Sequence, residues 1–173
     1  MRRHAHTAVR HAVASTRSRP REDNDRVGCL GLAPYAGVMT RYVVDAPTLV
    51  HLVDARVSVH PDHRLVAPNS IRSEALELLL GDVRRGVRTE SEALELHERM
   101  TEVKLRLLGD RVSRRVAWRI AREQGWDRLR DAEYLAVTRL QADALITVDP
   151  ELAAKAANVV PVASVEDLGR PPE

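Results

Sequence analysis

The stretch DRLRDAEYLAVTRLQADALITVDP, residues 127–150, indicates the fold class more clearly than any other part of the sequence. Its apolar residues recur at helical spacing from about Asp127 to Gln141, which predicts an amphipathic helix. The run 144–148 is short and apolar, as in a buried strand, and Asp149-Pro150 is typical of the start of another helix. The buried stripe of the first helix is predicted to be Leu129, Ala132, Leu135, Ala136 and Leu140. Helix, strand and helix in succession indicate a parallel sheet covered by helices.

The same alternation extends outward from this stretch over residues 39–168. Strands are predicted at 41–44, 65–67, 103–108, 144–148 and 159–162. Helices are predicted from Pro47 onward and at 70–85, 89–100, 110–125, 127–141 and 150–156. The fold class is therefore α/β, a three-layer α/β/α domain with a mostly parallel central sheet. Residues 169–173 are expected to form a loose C-terminal tail.

The first 38 residues differ from the rest of the chain. They have no apolar periodicity and are rich in Arg, His, Ser and Gly, so we expect a disordered N-terminal extension. Seven arginines against three acidic residues give this segment a net charge of +4, whereas the remainder has 20 basic and 22 acidic residues, a net charge of −2. Met39 stands directly before the first predicted strand. Its position favours Met39 as the native start and residues 1–38 as an over-extended reading of the gene.

The composition excludes several classes of protein. No apolar run approaches the roughly 18 residues that a transmembrane helix needs. The single cysteine, Cys29, excludes an internal disulfide framework and fits a reducing compartment such as the cytoplasm. Because residues 39–173 carry a net negative charge, they are not a basic nucleic-acid-binding protein by bulk charge. A polyanionic ligand would have to meet local arginines or a metal ion.

Two acidic residues directly follow predicted strands. Asp45 comes after the run 41–44, and Asp149 comes after the run 144–148. Because ligands of α/β sheets bind beyond the carboxyl ends of the strands, both are candidates for a binding site. Each also fits a helix N-cap, and for Asp149 alone a cap is the better explanation, because Pro150 follows at once. Thr147 adds a hydroxyl to the same edge.

Two further acids lie on predicted helices. Glu74 is in the first turn of its helix, where a solvated acid that favours the helix dipole is the plainer explanation. Asp131 is predicted to lie inside the helix 127–141, on the border of its apolar face, where it caps nothing and is a poor helix former. We therefore expect a positively charged partner for Asp131. Two like charges about 4 Å apart repel by roughly 4 kcal/mol at an effective dielectric near 20, so four converging acids would require a cation.

In this order the motifs resemble those of the PIN-domain ribonucleases, most closely the VapC-type toxins of bacterial toxin–antitoxin modules. The resemblance covers 130 residues, from Met39 to about Leu168. The last two acids are 18 positions apart, and the ordered set is more specific than any one motif. The motifs are Tyr42-Val43-Val44-Asp45-Ala46, Val66-Ala67-Pro68 leading to Glu74-Ala75-Leu76, and Asp131-Ala132-Glu133-Tyr134-Leu135-Ala136 followed by Ala144-Leu145-Ile146-Thr147-Val148-Asp149.

The resemblance implies a fold, a site and an activity. It implies a PIN-like domain at 39–168 in which Asp45 and Asp131 are the main metal ligands, with Glu74 and Asp149 binding directly or through water and Thr147 as an auxiliary. Carboxylate oxygens without His or Cys suit Mg²⁺, or Mn²⁺, rather than Zn²⁺. The implied reaction is RNA cleavage by a metal-activated water. A cognate VapB-type antitoxin and a homodimer are also implied.

The sequence departs from the family pattern at one position. The family commonly has Ser or Thr two residues after its first Asp, whereas this chain has Pro47 there and Thr48 one place later. A haloacid-dehalogenase-type enzyme would need a second Asp at the same position, so Pro47 argues against that class. A catalytically inactive PIN-fold protein-binding module is the alternative that remains open.

Two other groups of residues suit a ligand less well. His60, Asp62 and His63 could hold a metal, although a solvated loop explains them better. The helix after Asp110 carries an arginine stripe that could contact RNA phosphates, although a solvated helix face is the plainer explanation. The stripe consists of Arg111, Arg115, Arg119 and Arg122. Aromatic residues are too few to predict a base-stacking platform.

Overall fold

The computed structural model describes residues 39–172, so the expected disorder of residues 1–38 lies outside the described residues. These residues form one five-stranded sheet in the order β3-β2-β1-β4-β5. Every neighbouring pair of strands is parallel, where the sequence predicted a mostly parallel sheet. The strands are β1 (Thr40–Val44), β2 (His63–Pro68), β3 (Leu105–Leu108), β4 (Ala144–Ile146) and β5 (Val162–Ala163).

Helices connect the strands and cover both faces of the sheet. They are α1 (Ala46–Asp54), α2 (Ile71–Arg84), α3 (Glu90–Glu102), α4 (Arg111–Gln124), α5 (Arg130–Gln141), α6 (Pro150–Ala156) and a 3₁₀ helix, Val165–Gly169. The chain steps outward from β1 to β3 and then returns to the other side of β1. Since parallel crossovers are right-handed, α1, α2 and α3 lie on one face, while α4, α5 and α6 lie on the other. Within residues 39–172, no helix has both the length and the apolar character that crossing a bilayer demands.

The reversal of strand order at β1 places a crevice between the carboxyl ends of β1 and β4. The two strands are in register, with Val43 beside Leu145 and Val44 beside Ile146. All four of these residues are fully buried, as expected for central strands of a parallel sheet with helices on both faces. Ligands of such sheets bind at the switch point, so the residues that follow β1 and β4 are the candidates for a binding site.

Local sequence signals set several helix boundaries as predicted. Thr89 and Glu92 form the reciprocal capping box that begins α3. Asp110 accepts the backbone N–H of Ser113 at the start of α4. Gly125 ends α4 in the left-handed conformation, with φ of 68°, which glycine adopts without steric cost. Helix α6 spans the predicted residues, Pro150–Ala156.

The predicted start of α5 and its buried stripe are partly wrong. The helix begins at Arg130 rather than Asp127, so Asp131 lies in its first turn and not in its interior. Leu129 and Leu140 are each 39% exposed, whereas Tyr134 and Val137 are buried. The buried face is wider than the predicted stripe because α5 packs against three strands and α4 together.

The edges of the sheet also differ from the prediction. Strand β3 begins at Leu105 and does not alternate between buried and exposed residues, since it is an edge strand. Strand β4 ends at Ile146 rather than Val148, because Val148 already belongs to the turn into α6. Strand β5 is Val162–Ala163 rather than 159–162. Short edge strands of this kind carry little periodicity for a sequence to reveal.

The end of the domain contacts the segment that leads into β2. Gly169 ends the 3₁₀ helix, and the carbonyl of Leu168 accepts the backbone N–H of His60 over 2.7 Å. The carbonyl of Arg170 lies 2.7 Å from Nε2 of His63. The loose tail expected at residues 169–173 stays a prediction.

Candidate active site

Asp45 is the buried acid at the end of β1. Its side chain is 2% exposed and caps α1, with Oδ1 accepting the backbone N–H of Thr48 over 3.0 Å. Its Oδ2 accepts the hydroxyl of Thr147 over 2.6 Å. Burial raises the pKa of the Asp45 carboxyl above its ordinary value, and the nearby charge of Asp149 raises it further, although these hydrogen bonds oppose both effects. The N-cap reading is thus confirmed, and the same carboxylate points toward β4.

Thr147 and Asp149 meet Asp45 from the end of β4. The Thr147 hydroxyl accepts the backbone N–H of Asp149 over 3.0 Å while donating to Asp45. Asp149 caps α6 through Oδ1, which accepts the backbone N–H of Glu151 over 2.9 Å. Because Thr147 bonds to both residues, it fixes the orientation of the Asp45 carboxylate relative to the start of α6.

Thr48 joins the two halves of this edge from α1. Its hydroxyl accepts the backbone N–H of Val148 over 3.0 Å and lies 3.4 Å from the carbonyl oxygen of Ile146, to which it donates. The side chain is fully buried. The hydroxyl one place after Pro47 therefore holds the turn after β4 against α1, which is a positioning role.

Glu74 is paired with a cation of the chain itself. One of its oxygens, Oε2, accepts Nε–H of Arg130 over 2.8 Å and the hydroxyl of Tyr134 over 2.9 Å. Burial raises the pKa of Tyr134, and the charge of Glu74 adds to this effect, so the hydroxyl stays protonated and donates. The first turn of α2 is thereby connected to the first turn of α5.

Asp131 is paired in the same way. Nζ of Lys155 lies 2.5 Å from its Oδ2, and the hydrogen bond to Asp131 raises the pKa of the lysine. The ammonium group also lies 5.6 Å from the ring centre of Trp126. The expected positive partner of Asp131 is thus present, and it comes from α6. Asp131 itself is in the first turn of α5, where a carboxylate also favours the helix dipole.

The sequence did not identify Arg130 and Lys155 as members of the site. Arg130 directly precedes Asp131, and Lys155 is one of only two lysines in a chain with 27 basic residues. The scarcity of lysine was the one feature of the sequence that could have drawn attention to Lys155. The ion pairs themselves depend on how α5, α2 and α6 cross, which local periodicity does not show.

The donor types fit a hard divalent cation, but the side-chain positions do not gather around one point. Carboxylate and hydroxyl oxygens from Asp45, Thr147 and Asp149 share one edge, and such oxygens suit Mg²⁺ or Mn²⁺. Within residues 39–172, however, no three acidic, His or Cys side chains lie close enough together to hold a metal. Glu74 and Asp131 instead pair with Arg130 and Lys155.

The histidine-rich segment does not form a metal site among the described residues. His63 is the first residue of β2 and is 4% exposed, so the prediction of a solvated loop is wrong for it. Its ring packs edge-on against Tyr42 and lies 5.6 Å from the ring of His60, between ring centres. Asp62 donates its backbone N–H to Nδ1 of His60 over 3.3 Å.

The arginine stripe of α4 surrounds an exposed tryptophan. Arg115, Arg119, Arg122, Trp118 and Glu123 line one concave surface, and Trp118 is 59% exposed. Arg111 is exposed at the start of the same helix. The combination of a large exposed aromatic ring with several guanidinium groups was not expected from the low aromatic content.

Comparisons with known proteins bear on the fold. No protein-family model matches the chain, and no curated protein matches it in sequence. The chain is similar to the crystal structure of PAE2754 from Pyrobaculum aerophilum, with 26% identity and a TM-score of 0.57 over 75% of this chain and 93% of that chain. It is also similar to the structure of VapBC-1 from nontypeable Haemophilus influenzae, with 17% identity and a TM-score of 0.50 over 73% of this chain and 99% of that chain.

The similarity to VapBC-1 concerns the fold, because so low an identity shows nothing finer. The parallel sheet, the switch point at β1 and the acids that follow β1 and β4 agree with the motifs noted in the sequence. The chain therefore has the fold of a VapC-type PIN domain, as the resemblance in its sequence predicts.

Proposed function

We propose that the protein is a metal-dependent endoribonuclease and the toxin of a VapBC-type toxin–antitoxin module, with its PIN domain at 39–168. The observation that carries the proposal is the buried Asp45 at the switch point, held by Thr147 beside Asp149. A buried carboxylate whose pKa is raised by its surroundings is costly when ionised, so a bound cation would stabilise it.

The proposed ligands are the four acids. The family resemblance implied Asp45 and Asp131 as the main ligands, but Asp131 is paired with Lys155. We therefore propose that Asp45 and Asp149 would hold Mg²⁺, or Mn²⁺, first, and that Asp131 and Glu74 would complete the site directly or through water. A divalent cation bound there lowers the pKa of a bound water and offsets negative charge on the phosphodiester. The residues of the chain supply orientation, since Thr147 fixes the Asp45 carboxylate and Tyr134 fixes Glu74.

The ion pair between Lys155 and Asp131 is not an obstacle to this proposal. Both side chains are partly exposed, at 39% and 31%. Exposed pairs of this kind contribute about 0–1 kcal/mol, so moving the lysine costs little. Lys155 therefore competes with a metal ion without excluding it. Glu74 is held more firmly, because its side chain is 12% exposed and accepts from both Arg130 and Tyr134.

The α4 surface is the proposed contact for the RNA chain outside the cleavage site. Arg115, Arg119 and Arg122 would meet phosphates, and Trp118 offers an exposed ring on which a base can stack. Arg111 extends the positive charge toward the start of the helix. This surface gives an acidic domain a local means of attracting a polyanion.

The proposed protein partners are a VapB-type antitoxin and a second copy of this chain. An antitoxin side chain that reaches the acids would be cationic. Arg130 and Lys155 already make contacts of this kind within the chain, with Glu74 and Asp131. A homodimer is proposed from the family resemblance.

A second candidate function rests on the same two ion pairs. If Arg130 and Lys155 neutralise Glu74 and Asp131 permanently, the protein is a catalytically inactive PIN-fold module that binds another protein. The two functions differ in whether the acids take up a metal.

Cleavage of RNA by the full chain tests the proposed activity. Single-stranded RNA incubated with the protein and Mg²⁺ should be cut internally, and a chelator should stop the reaction. The Asp149→Asn variant should be inactive, while Asp143→Asn should retain activity, because Asp143 accepts the backbone N–H of Arg41 at the opposite edge of β1. Equal loss in both variants, or cutting that persists in the chelator, would overturn the proposal.

A further inference from the structure

A cavity of about 210 Å³ lies beside the proposed site, at the carboxyl ends of β2 and β3. Pro68, Leu108 and Val137 form its apolar wall, and Ser70, Arg114 and Glu133 contribute polar groups. Its residues come from the starts of α2 and α4 and from α5. Since the carboxyl ends of all five parallel strands face the same side, the cavity shares the edge at which Asp45 and Asp149 lie.

One polar atom that lines this cavity, Oγ of Ser70, lacks a hydrogen-bond partner within residues 39–172. Ser70 precedes α2 but makes no capping bond through its side chain, and its Oγ is buried without a hydrogen-bond partner. A buried polar atom without a partner is costly, so this hydroxyl is available to a bound water or ligand. Arg114 and Glu133 form no ion pair with any described residue, although both line the same cavity.

The mouth of the cavity depends on a glycine. A Cβ atom added to Gly109 would lie 2.6 Å from Nδ2 of Asn69, which is too close for any real contact. The absence of a side chain at Gly109 therefore lets Asn69 lie against the turn after β3, where its backbone N–H donates to the carbonyl of Leu108 over 2.8 Å. Because Asn69 is exposed, an alanine at Gly109 would displace the amide at little cost to the fold.

The cavity and the acids are connected by two helices. The backbone N–H of Glu74 donates to the carbonyl of Ser70, so these residues are one turn apart on α2. On α5, Glu133 directly precedes Tyr134, whose hydroxyl donates to Glu74. Ser70 of the cavity and Glu74 of the acids are four residues apart, a spacing at which helical side chains are neighbours about 5–6 Å apart. A nucleotide next to a phosphodiester at the acids would therefore reach the cavity along the first turn of α2.

The size and chemistry of the cavity fit one nucleobase. An engineered cavity of about 150 Å³ is enough to hold benzene, so this volume accommodates a heteroaromatic ring. A carboxylate accepts hydrogen bonds from base N–H groups, and a guanidinium donates to the carbonyl oxygen and ring nitrogen of guanine. Guanine alone among the four RNA bases presents two adjacent N–H sites for a carboxylate together with a carbonyl oxygen for the guanidinium. Glu133 and Arg114 provide that pair of groups.

We propose that this cavity is a guanine-selective subsite for the RNA nucleotide next to the cleaved phosphodiester. Glu133 accepts from the N–H groups of the base, Arg114 donates to its carbonyl oxygen, and Ser70 makes the hydrogen bond that it lacks in the free protein. The subsite rests on the proposed ribonuclease function, since it gives that function a sequence preference.

Titration of the full chain with the four nucleoside monophosphates tests the subsite, without divalent metal and followed by amide chemical shifts. GMP should perturb the amides of Ser70, Gly109, Arg114 and Glu133, with an affinity at least about tenfold higher than AMP, CMP or UMP. Glu133→Gln should weaken GMP binding about tenfold or more, whereas Glu77→Gln, on the exposed face of α2, should not. Gly109→Ala should also weaken binding, and its unchanged melting temperature would confirm that the fold is intact.

Three results would each overturn the proposed subsite. The first is unchanged amide chemical shifts at Ser70 and Glu133 up to millimolar GMP. The others are equal affinity for all four nucleotides and chemical-shift changes confined to the α4 surface. Cleavage of matched RNAs with and without guanine separates this proposal from the nuclease itself. If the chain binds GMP here but cuts no RNA, the nuclease function fails and the subsite stands. If it cuts RNA but binds no GMP here, the subsite fails alone.

Discussion

The acids at the strand ends and the acids on the helices carry the same charge but are stabilised in different ways. Asp45 is buried and receives only neutral donors, a hydroxyl and a backbone N–H. Asp131 and Glu74 instead face Lys155 and Arg130 at 2.5 and 2.8 Å. Neutral donors reduce the cost of a buried charge without cancelling it, whereas an ion pair cancels it locally.

A divalent cation should stabilise the strand-end acids more than the helix acids. Neither Asp45 nor Asp149 forms an ion pair with a described residue, although the charge of Lys155 acts on Asp149, so their negative charge is at most partly compensated. The helix acids already have cations, so a divalent ion must displace them. We therefore expect the two groups of acids to respond differently to substitution, to metal and to pH.

The largest effect is expected from Asp45→Asn. Asparagine retains the helix cap but removes the negative charge, so RNA cleavage in Mg²⁺ should fall by more than about 100-fold, beyond what loss of an outer-shell partner costs. The same change should raise the melting temperature of the metal-free protein by a few degrees, because burial disfavours the charged carboxyl. Asp131→Asn, assayed in parallel, loses its ion pair with Lys155 and should therefore gain no stability. An unstable, fully active Asp45→Asn would contradict the account.

Thr147→Val should have the next largest effect. Valine keeps the shape of the side chain but removes the hydroxyl that links Asp45 to the backbone of Asp149. Loss of a hydrogen bond that orients a metal ligand typically costs 10–100-fold in affinity or activity, and we expect a loss in that range. Calorimetric titration with Mn²⁺ measures it. Thr147→Ser, which retains the hydroxyl, is the control and should bind nearly normally; weak binding by both variants would show that the methyl group matters instead.

A smaller effect of opposite sign is expected from Lys155→Met. Removing the competing ammonium should increase Mn²⁺ affinity, by up to about fivefold if the exposed pair is worth about 1 kcal/mol. Lys104→Met is the matched control, because Lys104 is the only other lysine and lies beside β3 at the opposite edge. If Lys155→Met lowers metal affinity, the lysine is not a competitor and the inactive-module function gains support.

The smallest expected effect is on the pH dependence of stability. The folded-state pKa of Asp45 lies above its unfolded value, so the folded protein binds more protons between the two values. The free energy of unfolding should therefore decrease as pH rises from about 4 through the folded-state pKa of Asp45. Urea unfolding of the metal-free protein at several pH values measures this slope. In Asp45→Asn the same contribution should be absent, and an unchanged slope in that variant would assign the effect to another group.

The sequence predicted the parts of the fold that local chemistry determines. The predicted helix starts at Thr89 and Asp110 and the predicted helix end at Gly125 are confirmed, because each is set by a few neighbouring residues that form a cap. The placement of Asp45 and Asp149 at one edge is also confirmed, since Asp45 directly follows β1, Asp149 comes three residues after β4, and these strands are parallel neighbours. The positions of such residues can be predicted from the sequence because the residues that determine them are near in the chain.

The features that the sequence missed depend on distant residues. Asp131 was expected to need a cation because it lay inside a helix, yet it lies in the first turn of α5 and its partner comes from α6. The cavity beside Ser70 likewise combines three helices and two strand ends. Crossing angles and side-chain positions decide such contacts, and no local pattern encodes them.

The decisive measurement for the metal site is the binding of Mn²⁺ to the full chain and to four single variants. The unmodified chain is expected to bind Mn²⁺, and its melting temperature should rise with the metal. Asp45→Asn and Asp149→Asn should abolish binding, whereas Glu74→Gln and Asp131→Asn should weaken it less, because those acids enter the site only after their cations move. No binding at millimolar Mn²⁺, or unaltered binding by Asp45→Asn, would show that the strand-end acids do not form a metal site.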